Sequence, residues 1–510
     1  MKLKTLRLIL GDQLNHQHSW FETLDDSVCY VMMEVRQETD YVVHHIQKMV
    51  AFFSAMRSFS SWLSDRGHAS IYLTLDKPEN SQSLTENLSR LIKDKGFTRF
   101  EYMYPDEYRV QQQLESFCEK LEIEYSVVDS EHFLIPQVAI ANYFEADKSM
   151  VMENFYRKLR RQYSVLMKDD KPLGNKWNYD KENRKKLPKG HTPVKPKLFS
   201  KNVSEIVNLL QDMHVKSMGS IDADKFIWPT TRKETLALFN FFLKNCLPDF
   251  GTYQDALAQD HWSVYHARIS FGLNVKLISP LEIIRKTEQY WEKHQDQVSL
   301  AQVEGFIRQI LGWREFMRGL YWINMPDYAV KNHFKHTRKL PEFFWSGDTD
   351  LNCLKQSISQ SLEYAYAHHI QRLMVTGNYM LLTETDPDAA DNWYLGIYID
   401  ALEWVEMPNT RGMSQFADGG LVATKPYISS ANYINKMGDY CKHCRFDPKQ
   451  RVGDDACPFN SLYWRFLDKH QEKFRKIMRM RYSYIPWDKF SDQQRKQILE
   501  HANNYLAALK

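Results

Sequence analysis

The spacing of hydrophobic positions changes along the 510 residues and divides the chain into three stretches. Up to about residue 140, short apolar or β-branched runs at 6–10, 28–35, 71–75, 100–104 and 125–128 alternate with segments such as 44–63 and 83–93, whose apolar residues recur every three or four positions. Short apolar runs suit buried strands and the helical period suits amphipathic helices. This part therefore predicts a parallel sheet with helices on both faces. Ligands of such sheets sit beyond the carboxyl ends of the strands, where Gly11-Asp12-Gln13-Leu14 and residues 33–38 would lie. No G-x-G-x-x-G follows the first run, which argues against a dinucleotide on this unit.

From about 145 to 200 the chain becomes basic, polar and proline-containing. A helix carrying Tyr156 to Arg161 is expected there, then a long connector with Asn175-Lys176-Trp177-Asn178-Tyr179-Asp180. Trp and Tyr beside basic residues suit a nucleic-acid surface; a tryptophan that anchors the loop to the body fits equally well. Beyond residue 202 the helical period dominates, most clearly at 303–321 and 357–382. The expected division is 1–140, 141–201 and 202–510, more than one domain as the length requires.

The net charge of +3 announces no global field, but basic residues cluster at 157–161, 181–197 and 473–481. Such patches can hold phosphates, and each is equally compatible with a solvated face. No apolar run reaches the roughly 20 residues of a membrane span. The opening MKLKTLRLILGDQL is too short in its apolar part for a secretory signal and meets Asp12 at once, so it reads as a first strand and the expected compartment is the cytoplasm. The 13 Trp, 28 Tyr and 28 Phe fill a core, and would also suit a flavin and electron hopping; composition does not separate these.

Cys441 and Cys444 form a C-x-x-C pair, Cys457 follows, and Cys353 lies upstream. Without a secretory signal this set points to a metal or cluster site rather than disulfides. Cys457-Pro458 matches one iron–sulfur run, and four thiolates suit either a [4Fe–4S] cluster or structural zinc. Cys29, Cys118 and Cys246 read as buried thiols. His368-His369 lies in a predicted helix, where neighbouring rings project about 100° apart, so one of them can enter a shared pocket and move a proton, or serve as a structural hydrogen-bonder. Trp345, Trp393 and Tyr394 are either a single-electron route or core aromatics. Glu304, Arg308, Arg314 and Glu315 in QVEGFIRQILGWREFMR need partners if buried, supplied by a phosphate or by salt bridges.

Taken together, GDQL at Gly11, KWNYDKENRK at Lys176, VEGFIRQILGWREFMRG at Val303, AYAHHIQRLMVTGNY at Ala365, EWVEMPNTRGMSQFADGG at Glu403, TKPYISSANYINKM at Thr424 and CKHCRFDPKQRVGDDACPFN at Cys441 resemble the prokaryotic (6-4) photolyases, the iron–sulfur bacterial branch of the photolyase and cryptochrome superfamily. The resemblance runs from the first strand to near the C-terminus. It implies an α/β, Rossmann-like antenna domain and a large all-α FAD-binding domain, with the connector facing DNA. It also implies a monomer that acts on UV-damaged DNA, reversing (6-4) pyrimidine–pyrimidone lesions with an electron from photoexcited reduced FAD. Members with signalling roles keep the alternative of a blue-light photoreceptor without repair, and a DNA-binding protein with only a structural cluster is a third.

The same resemblance implies site residues. His369, with His368 beside it, matches the presumed proton donor; Asp255 and Tyr427 match positions beside the lesion; Trp393, Tyr394 and Trp345 match a photoreduction route. His266, Ser270, Glu304, Arg308, Trp313, Arg314, Asn378 and Asp400 are the expected FAD contacts. Ala267 and Arg268 depart from the family's H-S-L-L-S, so one hydroxyl donor is lost and Arg268 either compensates on the phosphates or faces outward. Cys353, Cys441, Cys444 and Cys457 match the ligands of a [4Fe–4S] cluster, and Asp180 a carboxylate near a divalent cation such as Mg2+. The expected antenna is 6,7-dimethyl-8-ribityllumazine, near Gly11, Asp12, Gln13 and Glu38.

Overall fold

The computed structural model describes residues 3–509. Five strands, β1 Thr5–Leu8, β2 Val28–Met33, β3 Ser70–Leu73, β4 Arg99–Met103 and β5 Glu124–Val128, form one parallel sheet in the order β3-β2-β1-β4-β5. Each overlaps one of the predicted runs. β2 is buried at every position, as a central strand covered on both faces must be. The helices Leu84–Lys95 and Tyr108–Cys118 cover one face, where Leu88, Leu91, Val110 and Leu114 meet Leu6, Val31 and Phe100. The long helix Ile46–Asp65 covers the other.

The strand order reverses between β1 and β4, and the carboxyl ends on either side of that point enclose a cavity. The face of Ile46–Asp65 turned from the sheet is packed by the later chain, through Val203, Ile206, Val207, Leu210, Phe226 and Trp228. A short antiparallel pair, β6 Met167–Lys168 and β7 Lys171–Pro172, interrupts the connector.

The remainder is helical around one large core. The predicted stretch 303–321 is Leu300–Ile307, a π-helical segment Arg308–Arg314, and Glu315–Asn324. The stretch 357–382 departs further from expectation. Its first helix, Asn352–Tyr364, ends at Ala365 in the left-handed region (φ 52°), residues 365–368 are irregular, and a second π segment, Gln371–Gly377, follows. His368 and His369 therefore do not share a continuous helix, and the 100° rule does not apply to them. No helix among the described residues is long and apolar enough to cross a membrane.

Candidate active site

A cavity of about 320 Å³ lies inside the helical part. Three π-helical segments build its wall: Arg308–Arg314 gives Gln309, Ile310, Trp313 and Arg314, Gln371–Gly377 gives Arg372 and Leu373, and Pro408–Ser414 gives Asn409, Thr410, Met413 and Ser414. A π turn widens the helix and re-aims side chains, a device common at functional sites. Two of these segments touch. A Cβ on Gly377 would come within 2.2 Å of Ser414 Oγ, so only glycine permits the approach.

Of the expected flavin contacts, His266, Ser270, Trp313, Arg314 and Asp400 line this cavity. Glu304, Arg308 and Asn378 are placed elsewhere. Glu304 accepts from Tyr156 Oη (3.0 Å) and the Tyr179 amide (3.0 Å), and Arg308 spans Glu304 and Asp180 (3.5 Å each), so this pair clamps the connector. Asn378 exchanges hydrogen bonds with the Ser429 backbone (2.9 and 3.1 Å). Arg268 faces inward, buried on the cavity wall beside Trp262 (5.0 Å). Sequence reasoning missed Arg372, which donates to Asp400 (3.0 Å) while Ser270 Oγ donates to the other Asp400 oxygen (2.5 Å).

The chemistry of the wall fits a dinucleotide with a pyrophosphate. Arg268 donates to Lys197 O (2.7 Å) and Arg314 Nη1 lies 3.6 Å from the Glu315 carboxylate, but Arg268 Nε and Arg314 Nε and Nη1 are buried without a hydrogen-bond partner, a state that an anion would relieve. Burial pulls both side chains down to about 10. Arg372, by contrast, is held above its ordinary value by the Asp400 and Glu406 carboxylates despite burial.

Both histidines of the pair reach the cavity. His368 is buried and stacks on His266 at 4.9 Å and 11°; its Nδ1 has no partner. His266 Nε2 donates to Gln254 O (3.1 Å). His369 lines the cavity and is itself exposed, its ring partly desolvated by the surrounding wall. That desolvation, with the Arg372 cation second, pulls His369 down to about 4.

A second group gathers around Arg184, a residue no sequence signal singled out. Arg184 and Arg308 both pair with Asp180. The Arg184 cation also acts on Asp255, Tyr427 and Tyr433. Burial pushes Asp255 up to about 6, against the pull of Arg184 and with the help of Asp180. Asp180 is thus shared by two guanidinium groups while its side chain stays 36% exposed. Trp177 anchors the connector: Arg157, Arg160 and Arg161 pack on its ring at 5.4, 5.3 and 4.6 Å. Much of the basic block 157–161 is thereby used internally.

Tyr394 lines the cavity and Trp393 lies behind it (5.2 Å, edge-on). Trp393 meets Phe344 (5.1 Å) and donates from Nε1 to its carbonyl (3.1 Å). The next residue, Trp345, is 47% exposed. Tyr394 and Trp393 thus lead back from the cavity, and Trp345 lies at the surface one residue after Phe344.

Cys353 is the second residue of helix Asn352–Tyr364, and Cys457 caps helix Pro458–Lys469, with Pro458 at the first position where no amide is needed. Cys441 and Cys444 lie on the turn Tyr440–His443 and its end. All seven cysteines are free thiols. Burial pushes Cys353 up, and the nearby Cys457, Cys441 and Cys444 push it further in the same direction, so the four lie within electrostatic reach of one another. Such a set favours positively charged iron or zinc. Among the described residues, no three His, Cys, Asp or Glu have the geometry for a single metal ion.

At the sheet, Gly11, Asp12 and Glu38 line the cavity of about 110 Å³, with Arg109, His44 and Lys48. Gln13 is not on its wall: it donates to Met103 O and Tyr104 O (3.3 and 3.2 Å) and accepts from Leu10 N (3.0 Å), pinning the loop after β1 to β4. Arg109 holds Glu38 bidentately (2.9 and 2.6 Å). His44 Nδ1 and Arg109 Nε have no hydrogen-bond partner, so the donor set suits a heteroaromatic ring.

This arrangement, a parallel sheet carrying one cavity and a helical body carrying a second, is the architecture of photolyases and cryptochromes. A bacterial class III photolyase from Agrobacterium tumefaciens superposes with a TM-score of 0.53 over 98% of this chain and 92% of that one, at 14% identity. A Synechocystis cryptochrome gives 0.56 over 97% and 93%, at 13% identity. The family model for deoxyribodipyrimidine photo-lyase-related protein matches residues 7–226. A (6-4) photolyase of Agrobacterium fabrum is 40% identical over 99% of this chain and 100% of its own length. The chain belongs to the (6-4) photolyase family.

Proposed function

We propose that this protein is a light-driven DNA repair enzyme that reverses (6-4) pyrimidine–pyrimidone photoproducts in UV-damaged DNA. The observation that carries the reading is the meeting of His369 with the Arg372–Asp400 pair on one cavity wall, in a chain of this family.

FAD bound in the cavity would supply the photoexcited electron donor. Arg268 and Arg314 would hold its phosphates, Ser270 and Arg372 keep Asp400 oriented, and the apolar wall from Phe306 and Ile310 excludes water. Arg184, Tyr427 and Tyr433 would receive the damaged strand, with Arg184 on a phosphate and Asp255 beside the lesion. An enzyme acting on paired bases must extrude them. His369 would give its proton to the oxygen substituent that migrates between the two bases. Partial desolvation and the Arg372 cation favour its neutral form, and negative charge brought by the DNA would favour the imidazolium. Tyr394, Trp393 and Trp345 would carry electrons inward to reduce the cofactor.

The four cysteines would hold a [4Fe–4S] cluster, outside the repair chemistry. The sheet cavity would seat 6,7-dimethyl-8-ribityllumazine, with Glu38 as a hydrogen-bond partner. A divalent cation such as Mg2+ near the DNA would share Asp180 with Arg184 and Arg308.

The test is repair of an oligonucleotide with one defined (6-4) lesion, in light with reductant, against a dark control and a cyclobutane-dimer substrate. Light-dependent loss of the (6-4) lesion alone, abolished in His369→Ala at full flavin content, supports the reading. No repair by flavin-loaded protein would overturn it in favour of a photoreceptor.

A further inference from the structure

The basic block 473–481 takes no part in the cavity. Its main element is the helix Met478–Asp488. One face of that helix is fastened to the body: Trp487 stacks on Trp464 (5.4 Å, 13°), and Tyr484 Oη donates to Leu467 O (2.8 Å). The other face presents Met478, Tyr482 and Ile485, which are 77%, 76% and 50% exposed. Their spacing of four and three residues lines them up in one stripe. Single exposed apolar residues are ordinary; three in register on an anchored helix form a surface.

The frame of the stripe is basic. Lys473, Lys476, Arg479, Arg481 and Lys489 are exposed, while Asp488 is taken by Arg475 (3.0 and 2.5 Å). The surface is also continuous with the Arg184 group. Arg479 donates to Thr424 Oγ1 (3.2 Å), and both Arg479 and Arg184 act on Lys425 and Tyr427. An uninterrupted run of cations beside an exposed phenol and thioether suits a polyanion with stackable faces. An acidic protein would match the charge but not the continuity with Tyr427.

We propose that the helix Met478–Asp488 is a second DNA contact, placing Lys476, Arg479 and Arg481 on phosphates flanking the lesion and Tyr482 with Met478 against an exposed base or sugar. This rests on the repair reading only in taking DNA as substrate.

The test is binding in the dark, by fluorescence anisotropy of a labelled lesion duplex across a salt series, with full-length flavin-loaded protein. Each lost phosphate contact lowers the slope of log affinity against log salt by about 0.9. The Lys476→Gln/Arg479→Gln/Arg481→Gln variant is therefore expected to lose about 2 to 3 from the slope. Tyr482→Ala is expected to weaken binding about fivefold or more, with the slope kept. Flavin content at the wild-type level verifies folding. Wild-type slope and affinity in both variants would overturn the proposal, and so would a wild-type dimer that Tyr482→Ala dissociates, since the stripe would then bind a second copy. Repair by the wild-type protein is scored separately, so a failure of the repair reading is not confused with a failure of this contact.

Discussion

Replacing Asp255 by Asn should make the protein more stable at alkaline pH while reducing repair. Burial pushes this carboxyl from its ordinary 3.8 to about 6, the Arg184 cation opposes the shift, and Asp180 reinforces it. Since the folded state holds the proton more tightly than the unfolded one, stability is highest below about pH 4 and falls as pH rises through about 6. At full weight the displacement corresponds to about 3 kcal/mol; with solvent screening at this partly exposed site, about 1–2 kcal/mol is expected. Asn has the same shape and no charge to desolvate. Its thermal midpoint should exceed the wild type at pH 8, and the gap should shrink to about half by pH 5, closing only below about pH 4. Repair of the (6-4) oligonucleotide at pH 8 should fall in the same variant, because a carboxylate kept at a cost to stability is one the site uses. Scanning calorimetry or fluorescence melts of both proteins between pH 5 and 8 measure the gap. A gap independent of pH, or an Asn variant less stable at pH 8, would refute the reasoning.

Purified protein should carry about four iron and four sulfide per chain, read by metal analysis and the brown absorbance; stoichiometric zinc would remove the cluster. Glu38→Ala should lower antenna occupancy and leave FAD content unchanged, as absorbance of the denatured chromophores would show. Arg109 keeps its pair with Glu107 (2.6 Å) in that variant, so folding should survive. Trp345→Phe should slow flavin photoreduction by external reductant, followed at the flavin absorption band, because it removes the exposed end of the aromatic run; an unchanged rate would place electron entry elsewhere.

The sheet was legible because its strands are short apolar runs separated by amphipathic helices, and burial on both faces leaves the pattern undiluted. The cavity was legible in part. Trp313 and Arg314 occur in a long family-like segment, but the same segment carries Glu304 and Arg308, which face the connector instead. A linear motif does not say which way a helix wall points, and π turns at Arg308–Arg314 and Gln371–Gly377 rotate the faces further. The break at 365–368 was invisible, since the sequence around His368 keeps helical spacing across it. Arg184 and Arg372 escaped because their importance comes from partners far along the chain, Tyr427 for one and Asp400 for the other.

Lys276 joins the two cavities. It is a non-glycine residue in the left-handed region (φ 65°), fully buried, and its Nζ reaches Asp106 Oδ2 (2.6 Å) and Asp12 O (2.7 Å) at the edge of the sheet cavity. It lies two residues beyond the end of the helix Ser270–Asn274, whose Asn274 lines the flavin-type cavity and donates to Asp400 O (2.7 Å). A buried ammonium cannot slide or swing without leaving its carboxylate unpaired. Two chromophores seated on either side of this lysine would hold one separation and one mutual angle, so energy would pass between them with a single coupling rather than an average over hinge positions. Grafted onto a body without this lysine, the sheet would keep its pocket and lose the buried ion pair that fixes its orientation to the helix Ser270–Asn274.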